Sequence, residues 1–215
     1  MTISPSASID QNASGLRIGL FGGTFDPPHV GHLVTAVNVM HALNLDQVIL
    51  MVANVPWQKE GSRAITPVQD RFAMVEAAVA AVPGLVVGDT EIHTGGPSYT
   101  VDTLRSLRQQ NAEYVNATFF TIVGDDAAAG VPTWERFQEL TELTRLVVVD
   151  RPGAPVVLST EIDWIRVEVP RLDVSSTDLR SRFTDGRPLD YLITQPVLGV
   201  IRERSLYSLP IGAQA

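Results

Sequence analysis

The chain has 215 residues, 45% apolar and 19% charged, so folding would bury about 70% of the extended surface, enough for one domain or two small ones. This composition excludes disorder, collagen and coiled coil as the dominant state, and the absence of cysteine excludes disulfides, thiol nucleophiles, zinc fingers and iron–sulfur clusters. With 16 Lys and Arg against 24 Asp and Glu, the formal charge is −8, which argues against non-specific nucleic-acid binding but leaves room for a small anionic ligand held by local donors.

Residues 1–15 form a polar stretch without a basic start or a long apolar run, so they predict a disordered tail and no secretory leader. No apolar run approaches the roughly 18–20 residues of a membrane span, and a cytoplasmic location is expected. Leu16–Phe21 is short, apolar and closed by Gly22-Gly23, which predicts a buried strand; Val30–Leu43 has apolar residues at helical spacing. Gln47–Ala53 is a second buried strand. Thr66-Pro67 opens a helix that runs to about Ala81, with Thr66 as the cap. Further strands are expected at Leu85–Val87, Ala117–Val123, Arg145–Val149 and Trp164–Val169, and further helices at Ser98–Gln110, Thr133–Leu140, Ser175–Phe183 and Gln195–Arg204. The alternation predicts an α/β fold: a Rossmann-like, doubly wound parallel sheet with helices on both faces. A single domain over residues 16–209 is expected, its helical end at about 175–209. In such sheets the ligand lies outside the carboxyl ends of the strands, so the strand-to-helix turns carry the chemistry.

The first such turn reads Gly22-Gly23-Thr24-Phe25-Asp26-Pro27-Pro28-His29-Val30-Gly31-His32. The glycines permit close backbone approach, and the helix start offers N–H groups and a positive dipole end to a phosphate. His29 and His32, three apart, share a helix face. Three chemistries fit this pattern: a triphosphate cradle, a zinc pair completed by Asp26 or His41, and a tight turn with satisfied histidines. Only four histidines and no HExxH weigh against zinc; the spacing is neither GxGxxG nor that of a P-loop.

GGTFDPPHVGH resembles the signature of the nucleotidylyltransferase superfamily, whose HxGH tetrapeptide is here His29-Val30-Gly31-His32, and in particular its nicotinate-nucleotide adenylyltransferase branch. The resemblance spans about Arg17 to Tyr207 and implies the nucleotidylyltransferase fold. It implies transfer of AMP from ATP to nicotinate mononucleotide, giving nicotinate adenine dinucleotide and pyrophosphate, by direct in-line attack without a covalent enzyme intermediate. Mg²⁺ would ride on the ATP phosphates rather than in a protein cage. Within the superfamily, an enzyme using nicotinamide mononucleotide or another acceptor is the alternative. A metal-dependent hydrolase built on His29 and His32 and a nucleotide-binding regulator without turnover are the rivals from other classes. Oligomeric state is open, with a homo-oligomer allowed.

The same resemblance assigns roles. His29, His32, Lys59 and Arg180 would be the catalytic donors and cations. Gly22, Gly23, Thr24, Phe25, Asp126, Ser176 and Thr177 would bind ATP. Asn54, Tyr99, Thr100, Trp134 and Glu135 would bind the acceptor, Trp134 by stacking on the pyridine ring, with Glu135 turned to solvent. The matching segments are Asn54–Lys59, where Trp57 and Gln58 depart from the branch's usual Pro and His, Ser98-Tyr99-Thr100, Gly124-Asp125-Asp126, Pro132-Thr133-Trp134 and Ser175-Ser176-Thr177-Asp178-Leu179-Arg180. Helix starts are expected at Ser98 and at Pro132–Glu135, both offering N–H groups to an anion. Arg71 also matches a family arginine and is read as structural, and Arg151 is a weaker candidate.

Overall fold

In the computed structural model, residues 15–55, 64–150 and 158–207 are described, apart from the side chain of Asp126. Strand β1 (Arg17–Gly23) lies inside a sheet of six parallel strands with β2 (Gln47–Val52), β3 (Leu85–Gly88), β4 (Thr118–Gly124), β5 (Arg145–Asp150) and β6 (Ile165–Glu168). Their order is β3-β2-β1-β4-β5-β6. The chain winds outward from β1 to β3 and returns to start again at β4, so the direction of winding reverses between β1 and β4. Leu20 of β1 stands opposite Ile49 on one side and Thr121 on the other.

Successive strand residues point to opposite faces, and here both faces are covered. Val48, Leu50 and Val52 of β2 join Ala36, Val39 and Leu43 of α1 (Val30–Ala42) and Val75 and Val79 of α2 (Val68–Val79) in one apolar cluster. Ile49 and Met51, with Ile18 and Leu20 of β1, pack on the other face against Leu104 and Leu107 of α4 (Thr100–Gln110). This is why these strands read as continuous apolar runs. Short helices α3 (Thr90–Thr94) and α5 (Asp125–Ala128) follow β3 and β4, and α6 (Phe137–Leu143) precedes β5. Helices α7 (Ser176–Asp185) and α8 (Gln195–Glu203) pack through Leu179, Val197, Leu198 and Ile201 on Met74 and Ala78 of α2.

The strands fall within two residues of their predicted ends. Three helix expectations are corrected. Helix α2 is capped by Pro67, not Thr66. Helix α4 starts at Thr100 with Tyr99 as N-cap, because the Ser98 hydroxyl turns away to accept the Asn54 N–H at 2.9 Å. The helix expected from Thr133 begins at Phe137: residues Val131–Thr133 form a 3₁₀ turn, and Arg136 at φ 50° breaks the path. The two short helices α3 and α5 are too brief to show a helical period in the sequence.

Gly19 lies in β1 where side chains of β2, β4 and the turn after α1 converge. A Cβ there would lie 2.9 Å from Val48 Cγ2, 3.0 Å from Leu45 Cδ1 and 3.1 Å from Ile122 Cδ1. Gly19→Ala therefore overpacks a closed core and should lower the unfolding free energy by about 1–3 kcal/mol, read from denaturant midpoints. An unchanged midpoint would show that this layer has slack.

Candidate active site

A cleft of about 260 Å³ opens at the carboxyl ends of β1 and β4, the winding-reversal point where α/β sheets bind ligands. Its floor is backbone: a Cβ built on Gly22 or Gly124 would meet nothing within 4 Å, so both glycines leave space above the strand ends. Gly22, Gly23, Thr24, Tyr99, Thr100, Trp134 and Glu135 all line it. The structure thus gathers these seven sequence-predicted residues around one cavity.

The histidines stand on the other side of the same turn. Gly23 is needed because a Cβ there would lie 2.7 Å from the Phe25 ring. Phe25, at φ 50° and 1% exposed, is folded under the turn. Its ring packs edge-on at 5.0 Å from His32, so it supports the histidine from beneath the turn and does not line the cleft. His29 is the N-cap of α1 and His32 stands one turn on, their rings stacked 3.7 Å apart. Gly31 lies between because a Cβ there would come within 3.0 Å of both the His29 ring and Val174 Cγ1. The His29 N–H donates to His32 Nδ1 at 3.1 Å. With Nδ1 accepting, the neutral ring carries its proton on Nε2. The Val30 N–H is not available to a ligand, since it donates to Leu192 O at 3.0 Å.

Helix α7 docks its start onto this turn. Ser175 caps it by accepting from the Asp178 N–H. The Ser176 hydroxyl donates to Pro27 O at 2.9 Å. Arg180 Nη1 donates to Asp26 O at 2.6 Å and Nη2 to Thr177 Oγ1 at 3.1 Å. The Asp26 carboxylate, 1% exposed, accepts the Tyr207 hydroxyl at 2.7 Å. Burial, reinforced by Asp26, pushes the Tyr207 phenol well above its ordinary range, so it stays a donor. Arg180, Ser176 and Thr177 therefore stand with His29 and His32 on one flank of the turn, and the seven cleft residues on the other.

Arg71 holds the two flanks to the sheet. Its buried guanidinium donates to Thr66 O at 2.9 Å, Thr24 O at 3.0 Å, Ala53 O at 2.8 Å and Asn54 O at 3.1 Å. Asn54 does not line the cleft; it braces the neighbouring loop, its amide donating to Gly96 O at 3.1 Å. Trp134 packs between two core clusters at the cleft edge, and its indole N–H has no hydrogen-bond partner among the described residues. The N–H groups of Thr133 and Trp134 are spent on Gly130 O and Val131 O, so neither is open to a ligand. Glu135 is exposed at the rim, as its solvent-facing assignment anticipates. Lys59, Trp57, Gln58 and Arg151 lie outside the described residues, as does the side chain of Asp126, the second residue of α5.

Among the described residues no three His, Asp or Glu side chains form a metal-binding group. His41 lies in the last turn of α1, nine residues and ~13 Å of helix beyond His32, and Asp26 accepts from Tyr207. Among the described residues, neither His41 nor Asp26 therefore completes a metal group with the histidine pair. Sequence reasoning missed Glu91, which lines the cleft from α3. Burial pushes its carboxyl above the usual range, a rise that hydrogen bonds from the Ser98 and Thr103 hydroxyls only partly offset. No helical period surrounds it, so only its place just before Gly95-Gly96-Pro97-Ser98 could have drawn notice.

Residues 20–182 match the cytidylyltransferase-like family. The chain is 41% identical over 201 residues to a protein of Corynebacterium kroppenstedtii named "Probable nicotinate-nucleotide adenylyltransferase", covering 91% of this chain and 92% of that one. It is 40% identical over 191 residues to a protein of the same name from Geobacillus thermodenitrificans, covering 89% and 86%. The Plasmodium falciparum nicotinic acid mononucleotide adenylyltransferase complexed with NaAD superposes with a TM-score of 0.72 at 16% identity, over 91% of this chain and 99% of that one. This last likeness is one of fold.

Arg71→Lys keeps the charge but loses the fork that reaches four carbonyls. Leaving buried carbonyls unsatisfied costs ~1–3 kcal/mol each, so the unfolding free energy should fall by about 2–4 kcal/mol in denaturant titration. A loss under ~0.5 kcal/mol would show that these turns are held by other contacts.

Proposed function

The chain belongs to the cytidylyltransferase-like family, among the nicotinate-nucleotide adenylyltransferases, and from that premise we infer how its two flanks divide the reaction. It transfers AMP from ATP to nicotinate mononucleotide and releases pyrophosphate. The acceptor's 5′-phosphate oxygen forms a bond to the α-phosphorus as the bond from that phosphorus to the bridging oxygen breaks. The observation that carries this reading is the tautomer of His32. Its Nδ1 accepts the His29 N–H, so the neutral ring carries its proton on Nε2 and has N–H chemistry there, suited to an anionic phosphate oxygen and not to a metal ion.

ATP lies along the histidine flank, with His29 and His32 donating to the transferring phosphoryl and the leaving pyrophosphate, Arg180 offsetting their charge, and Lys59 adding a further positive charge. Catalysis is positioning and charge stabilisation without a protein nucleophile. The divalent cation in this reading is Mg²⁺; the side chains on this flank that face the turn are mainly imidazole and guanidinium groups, so the ion would be held by ATP's own phosphates rather than by a protein cage and would supply charge stabilisation there. The acceptor ring lies in the cleft against Trp134. Thr100 and Val101, in the first turn of α4, have no carbonyl one turn earlier to bond, so their N–H groups and the dipole end suit a carboxylate. The site works on soluble nucleotides in the cytoplasm, and no described helix is long and apolar enough to cross a membrane.

His32→Ala should lower turnover at least about a hundredfold, the scale of losing one placed donor to developing charge, with little change in melting temperature. Near-normal turnover would remove His32 from the phosphates. Pyrophosphate release with ATP and a panel of acceptors tests the substrate. One charge-assisted contact is worth roughly 1.5–3 kcal/mol against about 1 for a neutral one, so catalytic efficiency with nicotinate mononucleotide should exceed that with nicotinamide mononucleotide about tenfold. Equal efficiencies would instead support an enzyme of dual specificity.

A further inference from the structure

Glu91 is a cleft-lining carboxyl that the chemistry above does not use, and it is tied to three segments. Thr103 Oγ1 stands 2.7 Å from its Oε1, and the Ser98 hydroxyl also donates to it. Ser98 Oγ in turn accepts the Asn54 N–H at 2.9 Å, just beyond β2. Val55, next along, bridges to Pro97. The carboxyl thus ties the chain after β2, residues 96–98 and the body of α4. Between its two hydroxyl partners lies the Tyr99-Thr100 corner, which lines the cleft. The chain enters that corner through Gly95 and Gly96, both at φ +70° with nothing within 4 Å of a built Cβ. Two glycines in open space supply no side-chain restraint of their own.

We propose that Glu91 is a positioning residue for the acceptor: by holding Ser98 and Thr103 it fixes where the Tyr99-Thr100 corner and the first turn of α4 stand in the cleft. This rests on reading the cleft as the nicotinate mononucleotide pocket. Glu91 does not touch the reacting phosphates. Its effect falls on acceptor binding and orientation, and the histidine flank, built on the opposite side of the turn, is left as it is.

Steady-state kinetics with ATP and nicotinate mononucleotide tests this on the wild-type chain, Glu91→Ala, Glu91→Gln, Thr103→Val and the Glu91→Ala/Thr103→Val double variant. Glu91→Ala should raise the acceptor KM about tenfold or more, the scale of a small misplacement of a binding group, and leave the ATP KM within about twofold. Glu91→Gln keeps an oxygen for the hydroxyls and should recover most of the loss. Thr103→Val should act in the same direction as Glu91→Ala, and the double variant should be no worse than Glu91→Ala alone, since both break one tie. If Glu91→Ala does not fold, the Gln and Thr103 variants carry the comparison. Parallel rises in both KM values, or an unchanged acceptor KM in folded Glu91→Ala and Thr103→Val, would overturn the proposal while the functional reading stands. A wild-type chain inactive with nicotinate mononucleotide but active with another acceptor would overturn both.

Discussion

The site hangs on one buried cation. Taking a guanidinium out of water costs several kcal/mol, and Arg71 recovers that through charge-assisted bonds to four backbone carbonyls from separate turns. Those carbonyls belong to the chain just past β1, just past β2 and just before α2. Turns at strand ends have backbone groups that no ladder satisfies. A flexible ammonium could not meet them together, whereas a rigid fork with five donors can. Arg71 therefore sets the height and spacing of the two turns from which both flanks of the site are built.

The division of those flanks follows from the sheet order. Because the winding reverses between β1 and β4, the ends of these neighbours are not both roofed by the helix of one crossover, and the cleft forms in the gap. The β1 turn is shared. One side of it faces the cleft through Gly22, Gly23 and Thr24, and the other carries the histidines and receives α7. Two substrates joined end to end at a phosphorus need such an arrangement, since each must be held separately while their reactive ends meet. The turn is rigid by construction: Phe25 is packed beneath it, Arg71 holds its Thr24 carbonyl, and Arg180 and Ser176 hold the carbonyls of Asp26 and Pro27.

What the sequence made readable was local. Strands buried on both faces produce apolar runs, and the β1 turn and the serine-rich start of α7 carry their chemistry within about ten consecutive residues. What it hid was settled by tertiary partners. Ser98 has the composition of a helix cap, yet its hydroxyl serves Asn54 and Glu91. Trp134 was expected at a helix start, but Arg136 takes a left-handed conformation without the glycine that would announce it, and the helix begins later. Phe25 belongs to the signature and yet lies beneath it. Asp26 meets Tyr207 across 181 residues and Arg180 across 154, separations at which no spacing rule operates.

Those long separations bear on how the molecule comes into being. Chains are synthesised from the amino end and their parts begin to fold as they emerge, so the six strands are present before residue 176 has left the ribosome. The histidine turn at that stage lacks the Arg180 guanidinium and the Ser176 hydroxyl on its carbonyls, the Leu192 carbonyl on Val30 and the Tyr207 phenol on Asp26. An unfinished chain thus has a sheet without a finished phosphate turn. The later-made segment seals the earlier-made motif, and the phosphate turn is finished only when residues 176–207 have joined it.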